Sequence, residues 1–268
     1  MTSVTTRAGT ALITGASSGI GESLAGCFAE AGYDLVLVAR STDKLQTLAA
    51  ELAALHGVKV WAEPCDLAAE NAAAGLATAL RRKRRPIDVL VNNAGVLAQG
   101  PFAGMKSAAH QQMIDLNVTG LTALLAQFVP SMVERGNGRV LNVASIAAFQ
   151  PVPTLATYAA TKAYVLSLTE SLAEELKGTG VTITALCPGV TATNMLVSAR
   201  SANARLGQLP GFLIGDVDDV ARQGFDACMK GDVICVPGVV NRAAMIASRS
   251  TPKWLVRRIG GVIGRKAL

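Results

Sequence analysis

The sequence predicts an α/β protein with a single, doubly wound domain, in which a mostly parallel seven-stranded sheet carries helices on both faces. Short runs of β-forming residues alternate with longer helical patterns, which is typical of right-handed βαβ units. Most strand runs are continuously apolar, as strands are when both faces of the sheet are covered. The 268 residues, half of them hydrophobic and 16% charged, are enough for one large core.

The apolar runs and the periodic stretches between them define the elements. The predicted strands are Thr10–Thr14, Asp34–Ala39, Val58–Glu63, Ile87–Val91, Arg139–Val143, Val181–Leu186 and Val233–Val236. The predicted helices include Gly19–Ala31, Asp43–Leu55, Ala68–Arg82, Ser107–Glu134 and Thr157–Lys177.

The chain contains no internal repeat and no linker rich in proline, glycine or serine, which favours one domain over residues 1–240. Residues 241–268 are expected to form a basic amphipathic extension packed on that domain, as one or two short helices interrupted at Pro252 and Gly260. The stretch Thr191–Gly215 has weak periodicity, and loops of that length are usually functional lids or disordered.

Composition argues against several kinds of site. The five cysteines are odd in number, scattered and without a C-x-x-C spacing, so neither disulfides nor a zinc site is expected. His56 and His110 are isolated, so we expect no bound metal and no Ser-His-Asp triad. The N-terminal residues Met1–Gly9 have no apolar signal core, and no apolar run approaches the length of a membrane span. A soluble, cytoplasmic protein is therefore expected.

The net charge of +6 is concentrated in the tail. Residues 241–268 contain seven basic and no acidic side chains, which leaves 18 basic and 19 acidic residues in the rest of the chain. The basic run Arg81–Arg85 ends a helix, where cations interact favourably with the helix dipole. It lacks interleaved aromatic residues, so no nucleic-acid partner is expected. The tail has two alternatives: contact with an anionic membrane surface, or packing over a cleft or a subunit interface.

The first strand leads into a glycine-rich turn, Thr14–Gly21 (TGASSGIG), followed by a helix. Its three glycines permit a tight turn and let backbone N–H groups approach a pyrophosphate at the helix N-terminus, as in the Rossmann fold. The spacing is G-x-x-x-G-x-G and so differs from G-x-G-x-x-G. The absence of Gly-Lys-Ser/Thr argues against a P-loop.

The second strand ends at Ala39 and Arg40, where an NAD site typically places a carboxylate for the ribose hydroxyls. A guanidinium can instead pair with a 2′-phosphate, so the predicted cofactor is NADP(H). After the third strand, Asp66 could accept a hydrogen bond from an adenine amino group or cap the next helix. The segment Asn92–Gly95 (NNAG) follows the fourth strand at the sheet edge where α/β proteins bind ligands.

Tyr158 and Lys162 are four residues apart on a predicted helix and therefore share one face. A tyrosine with a pKa near ~10 is a poor proton donor or acceptor at neutral pH. A neighbouring ammonium favours phenolate and should lower that pKa toward the range of a general acid or base. Ser145 lies thirteen residues before the tyrosine.

Together these motifs resemble the short-chain dehydrogenase/reductase family. Thr14–Gly21 is similar to the family's cofactor glycine motif, Asn92–Gly95 to its sheet-stabilising motif, and Pro188–Thr193 to the segment that contacts the nicotinamide. The resemblance covers the chain from about residue 10 to residue 236. The basic extension departs from the minimal fold of the family.

The catalytic residues of the family are matched one by one. Ser145, Tyr158 and Lys162 correspond in order and spacing to its catalytic trio, and Asn117 to its active-site asparagine. A small departure is Asn142 and the residues after it, Asn-Val-Ala-Ser, where many relatives have Ser-Ser.

The resemblance implies an NADP(H)-dependent oxidoreductase that interconverts a ketone or aldehyde with an alcohol. Tyr158 would be the general acid, Ser145 would hydrogen-bond the carbonyl oxygen, Lys162 would hold the nicotinamide ribose, and Asn117 would support a water chain that reprotonates the tyrosine. The residues expected at the cofactor are Gly15, Ser17, Ser18, Gly19, Ile20, Gly21, Arg40, Asp66, Leu67, Asn93, Ala94, Gly95, Tyr158, Lys162, Pro188, Gly189, Val190, Thr191 and Thr193.

The substrate pocket is expected to be mainly apolar, which favours a hydrophobic ketone, aldehyde or secondary alcohol over a sugar phosphate. It should draw on Ile146, Gln150, Pro151, Val152, Leu155 and the Val190–Leu209 segment around Met195. A 3-oxoacyl thioester is an alternative substrate, and a non-catalytic NADP-binding sensor or scaffold is an alternative function. The family also implies a homodimer or homotetramer formed through the two long helices, whereas packing of both helices only on the sheet is the alternative.

Overall fold

Seven parallel strands form one sheet in the order β3-β2-β1-β4-β5-β6-β7. The computed structural model describes residues 8–192 and 214–250, together with Arg258. The strands are β1 (Thr10–Thr14), β2 (Asp34–Ala39), β3 (Val60–Pro64), β4 (Val89–Asn92), β5 (Gly138–Val143), β6 (Val181–Leu186) and β7 (Ile234–Cys235). Every strand pairing is parallel, which confirms the predicted doubly wound α/β fold.

Helices of the described residues cover both faces of this sheet. They are α1 (Gly19–Glu30), α2 (Thr42–His56), α3 (Ala72–Arg82), α4 (Ser107–Ile114), α5 (Leu121–Glu134), α6 (Ala156–Glu175), α7 (Val217–Lys230) and α8 (Val239–Ser250). The third helix begins at Ala72, so the predicted start at Ala68 is wrong. Asn71 adopts a left-handed φ of 60°, and the Asp66 carboxylate accepts a hydrogen bond from Ala68 N in a turn that precedes the helix.

The side chains of successive strand residues alternate between two apolar layers. Leu12, Val36 and Leu90 belong to the layer formed with α3, α5 and α6, whereas Ile13 and Leu37 belong to the layer formed with α1, α2 and α7. Both layers are closed to solvent, which explains why the strand sequences are continuously apolar. Because β1 lies between β2 and β4, strands β2 and β3 extend the sheet on one side of β1 and strands β4 to β7 extend it on the other. The order in which strands are added therefore reverses beside the carboxyl end of β1. Such a switch point leaves a crevice for ligands.

The predicted helix Ser107–Glu134 is a continuous helical run with a π-helical turn at Asp115–Gly120 between α4 and α5. It has the length and apolar composition of a membrane-crossing helix, with a mean hydropathy of 1.4. The sequence was expected to lack such a stretch. Core helices share these properties, and the apolar side chains of α5 pack in the layer beneath the sheet.

Two predicted segments lie largely outside the described residues. Only the ends of Thr191–Gly215 are described, where those two residues form a parallel bridge. The basic extension begins in α8, whose Met245 packs against the core. The predictions for the rest of the extension lie outside the described residues except for Arg258, and the division into residues 1–240 and 241–268 stays a prediction.

Candidate active site

A cavity of about 530 Å³ opens at the carboxyl ends of the strands. The predicted cofactor residues that line it are Gly15, Ser17, Ser18, Gly19, Ile20, Arg40, Asp66, Leu67, Asn93, Ala94, Gly95, Tyr158, Lys162, Pro188, Gly189, Val190 and Thr191. Gly21 and Asn117 are not among the lining residues, and Thr193 lies outside the described residues. Nearly all of the residues that the sequence predicts at the cofactor therefore line one cavity.

The glycine turn leaves space that a side chain would fill. Gly15 has a φ of +65°, and an added Cβ would lie 2.7 Å from Asn93 Nδ2 and 2.9 Å from Ala94 Cα. At Gly21 an added Cβ would lie 2.4 Å from both Asn93 Nδ2 and Gly15 O. Gly21 is thus required for close packing beneath the turn, and its predicted place at the cofactor stays a prediction.

The NNAG segment braces the glycine turn from the next strand. Asn93 Nδ2 donates to Thr14 O at 2.9 Å and to Gly15 O at 3.2 Å, while Thr14 Oγ1 accepts from the backbone N–H groups of Asn93 and Ala94. These bonds fix the turn where α1 begins, so that its N-terminus lies at the cavity. A rigid glycine cradle at a helix N-terminus fits the pyrophosphate of a dinucleotide.

The far end of the cavity is lined by the ends of β2 and β3. Arg40 and Ser41 follow β2, and Asp66 and Leu67 follow β3. Arg40 is exposed, and β2 ends in neutral Ala39, so no carboxylate at this end of the strand would repel a phosphate. The Asp66 carboxylate accepts from Ala68 N in a turn. Because the next helix begins only at Ala72, the alternative that Asp66 caps it is wrong.

At the other end, Tyr158 and Lys162 project from α6 into the cavity wall and are 8% and 5% exposed. Lys162 Nζ lies 5.8 Å from the centre of the tyrosine ring and donates to Val143 O at 2.8 Å. Ser145 begins a short 3₁₀ turn, Ile146–Phe149, and its Oγ accepts from Ala147 N at 3.1 Å. Because the hydroxyl accepts that bond, its own hydrogen can be donated into the cavity.

Burial dominates the titration of this pair. It raises the pKa of the Tyr158 phenol, and a hydrogen bond with the Ser145 side chain opposes that rise. Burial also lowers the pKa of the Lys162 ammonium to about 8. The prediction that the lysine gives the tyrosine a lowered pKa is therefore wrong here, because loss of solvation disfavours the charged form of both groups.

Asn117 is held by the backbone beside this pair. It lies in the π-helical turn, where its Oδ1 accepts from Val96 N at 2.9 Å and its Nδ2 donates to Val96 O at 2.9 Å and to Thr161 Oγ1 at 3.1 Å. Turns of this kind are frequent at functional sites. An added Cβ on Gly95 would lie 3.3 Å from Asn117 Oδ1 and 3.5 Å from Lys162 Nζ, so both side chains approach the same glycine.

The substrate side of the cavity is only partly as predicted. Ile146, Gln150, Val152 and Leu155 line it, whereas Pro151 is not among the lining residues and Met195 lies outside the described residues. Sequence reasoning missed the loop after β4, which contributes Val96, Leu97 and Gln99. A signal was available, because this loop directly follows the NNAG segment at the ligand-binding edge.

Thr161 was also missed, although a hydroxyl residue three positions after the tyrosine was visible in the sequence. Its Oγ1 donates to Tyr158 O at 2.8 Å and accepts from Asn117 Nδ2, and the residue is 3% exposed. Thr161 thus links the helix of the tyrosine to the asparagine. We regard it as a positioning residue.

Replacing Thr161 by the isosteric valine removes this link and should lower turnover about tenfold, a loss of about 1.4 kcal/mol that is in the range of one buried hydrogen bond. Binding of the dinucleotide should change by less than about twofold, because Thr161 does not line the cavity. Steady-state kinetics together with a binding titration measure both quantities, and Thr161→Ser should restore turnover.

Thr169→Val is the matched control for this substitution. Thr169 is equally buried on α6, and its Oγ1 donates to Val165 O and accepts from Asn142 Nδ2, away from Asn117. It should lose stability without losing turnover. Equal losses of turnover in both variants would show that Thr161 acts only through stability.

A buried phenol, ammonium and hydroxyl at one end of a dinucleotide-sized cavity are the groups of a dinucleotide-dependent oxidoreductase. The chain belongs to the short-chain dehydrogenase/reductase family, since the family model described as short chain dehydrogenase matches residues 9–204. It is therefore an NAD(P)-dependent enzyme that acts on CH–OH groups of small molecules and on the corresponding carbonyl groups.

Several relatives are similar over most of their length. A ketoacyl reductase from Nostoc sp. is 38% identical over 199 residues, which are 74% of this chain and 69% of that protein. A short-chain dehydrogenase from Sphingobium yanoikuyae, solved in complex with NADPH, is 35% identical with a TM-score of 0.79, and the match covers 90% of this chain and 93% of that one. The bulky-bulky ketone specific alcohol dehydrogenase from Comamonas testosteroni is 29% identical with a TM-score of 0.76, over 92% and 96% of the two chains.

Proposed function

We propose that the protein is an NADP(H)-dependent reductase of apolar ketones or aldehydes, with Tyr158 as the general acid. The observation that carries this proposal is the arrangement of Tyr158, Ser145 and Lys162 at the apolar end of the cavity. The lining there includes Val96, Leu97, Ile146, Val152 and Leu155. No lysine or arginine other than Lys162 is among the described lining residues at that end, which favours a substrate without a phosphate.

The residues have separate roles in the proposed reaction. Bound NADPH supplies the hydride. The carbonyl oxygen then gains negative charge and needs a proton and hydrogen-bond donors. Tyr158, whose burial favours its protonated form, gives that proton, and the Ser145 hydroxyl donates a hydrogen bond to the same oxygen. Lys162 holds the ribose hydroxyls, and Asn117 supports the path by which the tyrosine is reprotonated.

The site also supports a second substrate class. The relatives from Nostoc sp. and Streptomyces coelicolor are both named as ketoacyl reductases, the second as putative, and they are 38% and 36% identical to this chain. A 3-oxoacyl thioester presents a ketone to the same three side chains, and its acyl chain would contact the apolar lining. It is therefore the second candidate substrate.

A spectrophotometric screen tests the proposal. Oxidation of NADPH and of NADH is followed at matched concentrations with aliphatic and aromatic ketones, aldehydes and 3-oxoacyl thioesters. We expect turnover with NADPH on at least one apolar carbonyl substrate. Activity confined to sugar or phosphorylated substrates would contradict the apolar class, and a preference for NADH would contradict the assigned cofactor.

Arg40 should determine the choice between the two dinucleotides. Arg40→Ala is expected to raise the KM for NADPH about ten- to a hundredfold, because hydrogen bonds to charged groups contribute roughly 1.5–3 kcal/mol. The KM for NADH should change little. Lys59→Ala, which removes an exposed cation beside the opposite end of β3, is the control and should leave both KM values unchanged. Equal effects of Arg40→Ala on the two cofactors would contradict the role.

We also propose a homodimer or homotetramer formed through the α4–α5 run and α6. Ile114, Val133 and Tyr164 on these helices are 39%, 37% and 39% exposed, which leaves apolar surface away from the sheet. Light scattering of the purified protein measures the mass, and a monomer at micromolar concentration would contradict the assembly. The cytoplasmic location and the absence of a nucleic-acid partner stay predictions.

A further inference from the structure

The helix α8 has one face on the rim of the active-site cavity. The Asn241 side chain lies against Gly189, where an added Cβ would come within 2.5 Å of Asn241 Nδ2. One turn later, Met245 packs against the core layer that also contacts Ile146 and Phe149 of the 3₁₀ turn. Because Gly189 and Ile146 line the cavity, α8 is attached to its substrate end.

The other side of α8 is apolar and exposed. Val239, Val240 and Ile246 are 82%, 55% and 57% exposed, and Ala243 between them is exposed as well. Residues 239, 243 and 246 follow the i, i+4, i+7 spacing and so form one stripe along the helix. We call Val239, Val240, Ala243 and Ile246 the α8 stripe. Exposure of three large apolar side chains on one short helix indicates a surface that another phase or partner covers.

Charge identifies the kind of partner. The segment 241–268 has seven basic and no acidic side chains, whereas the rest of the chain is about neutral. Arg242 and Arg258, the two arginines of this segment whose exposure is described, are both exposed. An apolar stripe in a segment whose charged side chains are all cations is complementary to an anionic lipid surface. A second copy of the same segment would bring like charges together and is disfavoured.

We propose that the α8 stripe, together with the exposed Arg242 and Arg258 of the same segment, binds the surface of an anionic phospholipid bilayer. The apolar side chains would enter the boundary between headgroups and acyl chains, and the two arginines would pair with lipid phosphates. Since the opposite face of α8 contacts Gly189, binding would hold the substrate end of the cavity beside the bilayer. The binding itself does not depend on the proposed reaction.

Co-sedimentation of the full-length protein with vesicles tests this proposal. Phosphatidylcholine vesicles are compared with vesicles of phosphatidylcholine and phosphatidylglycerol, at low and at high salt. We expect partitioning onto the anionic vesicles to be at least about tenfold stronger than onto neutral ones, since each surface cation adds roughly a fivefold factor, and to weaken in high salt. The double substitution Val239→Gln with Ile246→Gln should weaken it about tenfold.

Leu55→Gln is the matched control, because Leu55 is 76% exposed on α2 and lies outside the stripe. This variant should partition like the wild type, and all three proteins should retain their turnover of a soluble substrate. Equal partitioning onto neutral and anionic vesicles would overturn the proposal, as would equal partitioning of the double variant and the wild type. If the double variant instead forms a smaller oligomer in light scattering without lipid, the stripe covers a second copy and the membrane assignment is wrong.

Discussion

Tyr158→Phe is expected to lower turnover by ~10²–10⁴-fold, the usual contribution of a positioned general acid. The phenol is buried at the cavity wall beside Ser145, and burial raises its pKa. It is therefore protonated at neutral pH and suited to donate to a carbonyl oxygen that gains negative charge. Phenylalanine keeps the packing of the ring and removes only the proton that the reaction needs.

Dinucleotide binding should survive this substitution nearly unchanged, because the glycine turn and Arg40 lie at the other end of the cavity. Binding is followed by a fluorescence titration with NADPH, and turnover by its oxidation with the best substrate from the screen. Tyr164→Phe is the control on the same helix, since this tyrosine is 39% exposed and its hydroxyl contacts only Thr122 Oγ1 among its described hydrogen-bond partners. Turnover of Tyr158→Phe within about threefold of wild type would show that another group supplies the proton.

Much of the fold could be predicted because its main determinants are local. The runs at β1, β2 and β6 are buried on both faces, and their predicted and observed bounds agree. The start of α3 could not be predicted in this way. Ala68–Asn71 have helical composition, but the left-handed backbone of Asn71 and the bond to Asp66 place a turn there.

The site could be predicted as a set of residues but less well as a chemical environment. The order of the motifs predicted that Tyr158, Lys162 and Ser145 share one site, and all three line the same cavity. The bonds that position them join distant parts of the chain: Lys162 Nζ donates to Val143 O, and Asn117 bonds to Val96. Burial of the pair also depends on the whole fold. An i,i+4 spacing shows proximity and cannot show solvation, which is why the direction of the Tyr158 pKa was predicted wrongly.

The buried ammonium of Lys162 has a second measurable consequence, for stability. Its pKa is about 8 in the folded chain and ~10.4 in an unfolded one, so between these values the unfolded state binds more protons. The free energy of unfolding therefore rises with pH in that window. The stability that Lys162 contributes in its uncharged form is fully present above the unfolded pKa and is lost as the pH falls through about 8.

The comparison of wild type with Lys162→Met isolates the pH-dependent contribution of Lys162 to the free energy of unfolding. The wild type should gain about 3 kcal/mol relative to the variant as the pH rises from about 8 to ~10.4, at 1.36 kcal/mol per unit. Cys187 and Tyr158 face the lysine, and burial raises the pKa of both groups. Both groups remain in the variant, so their titration largely cancels in the difference.

Urea unfolding of the two proteins across this pH range, without cofactor, measures the difference. Lys177→Met, at the 70% exposed side chain just after α6, controls for the loss of one positive charge. A difference between wild type and Lys162→Met that stays constant with pH would mean that the ammonium is solvated in the folded state. In that case Lys162 would meet the ribose as an ordinary surface lysine, and the description of a buried, pre-positioned cation beside Tyr158 would be wrong.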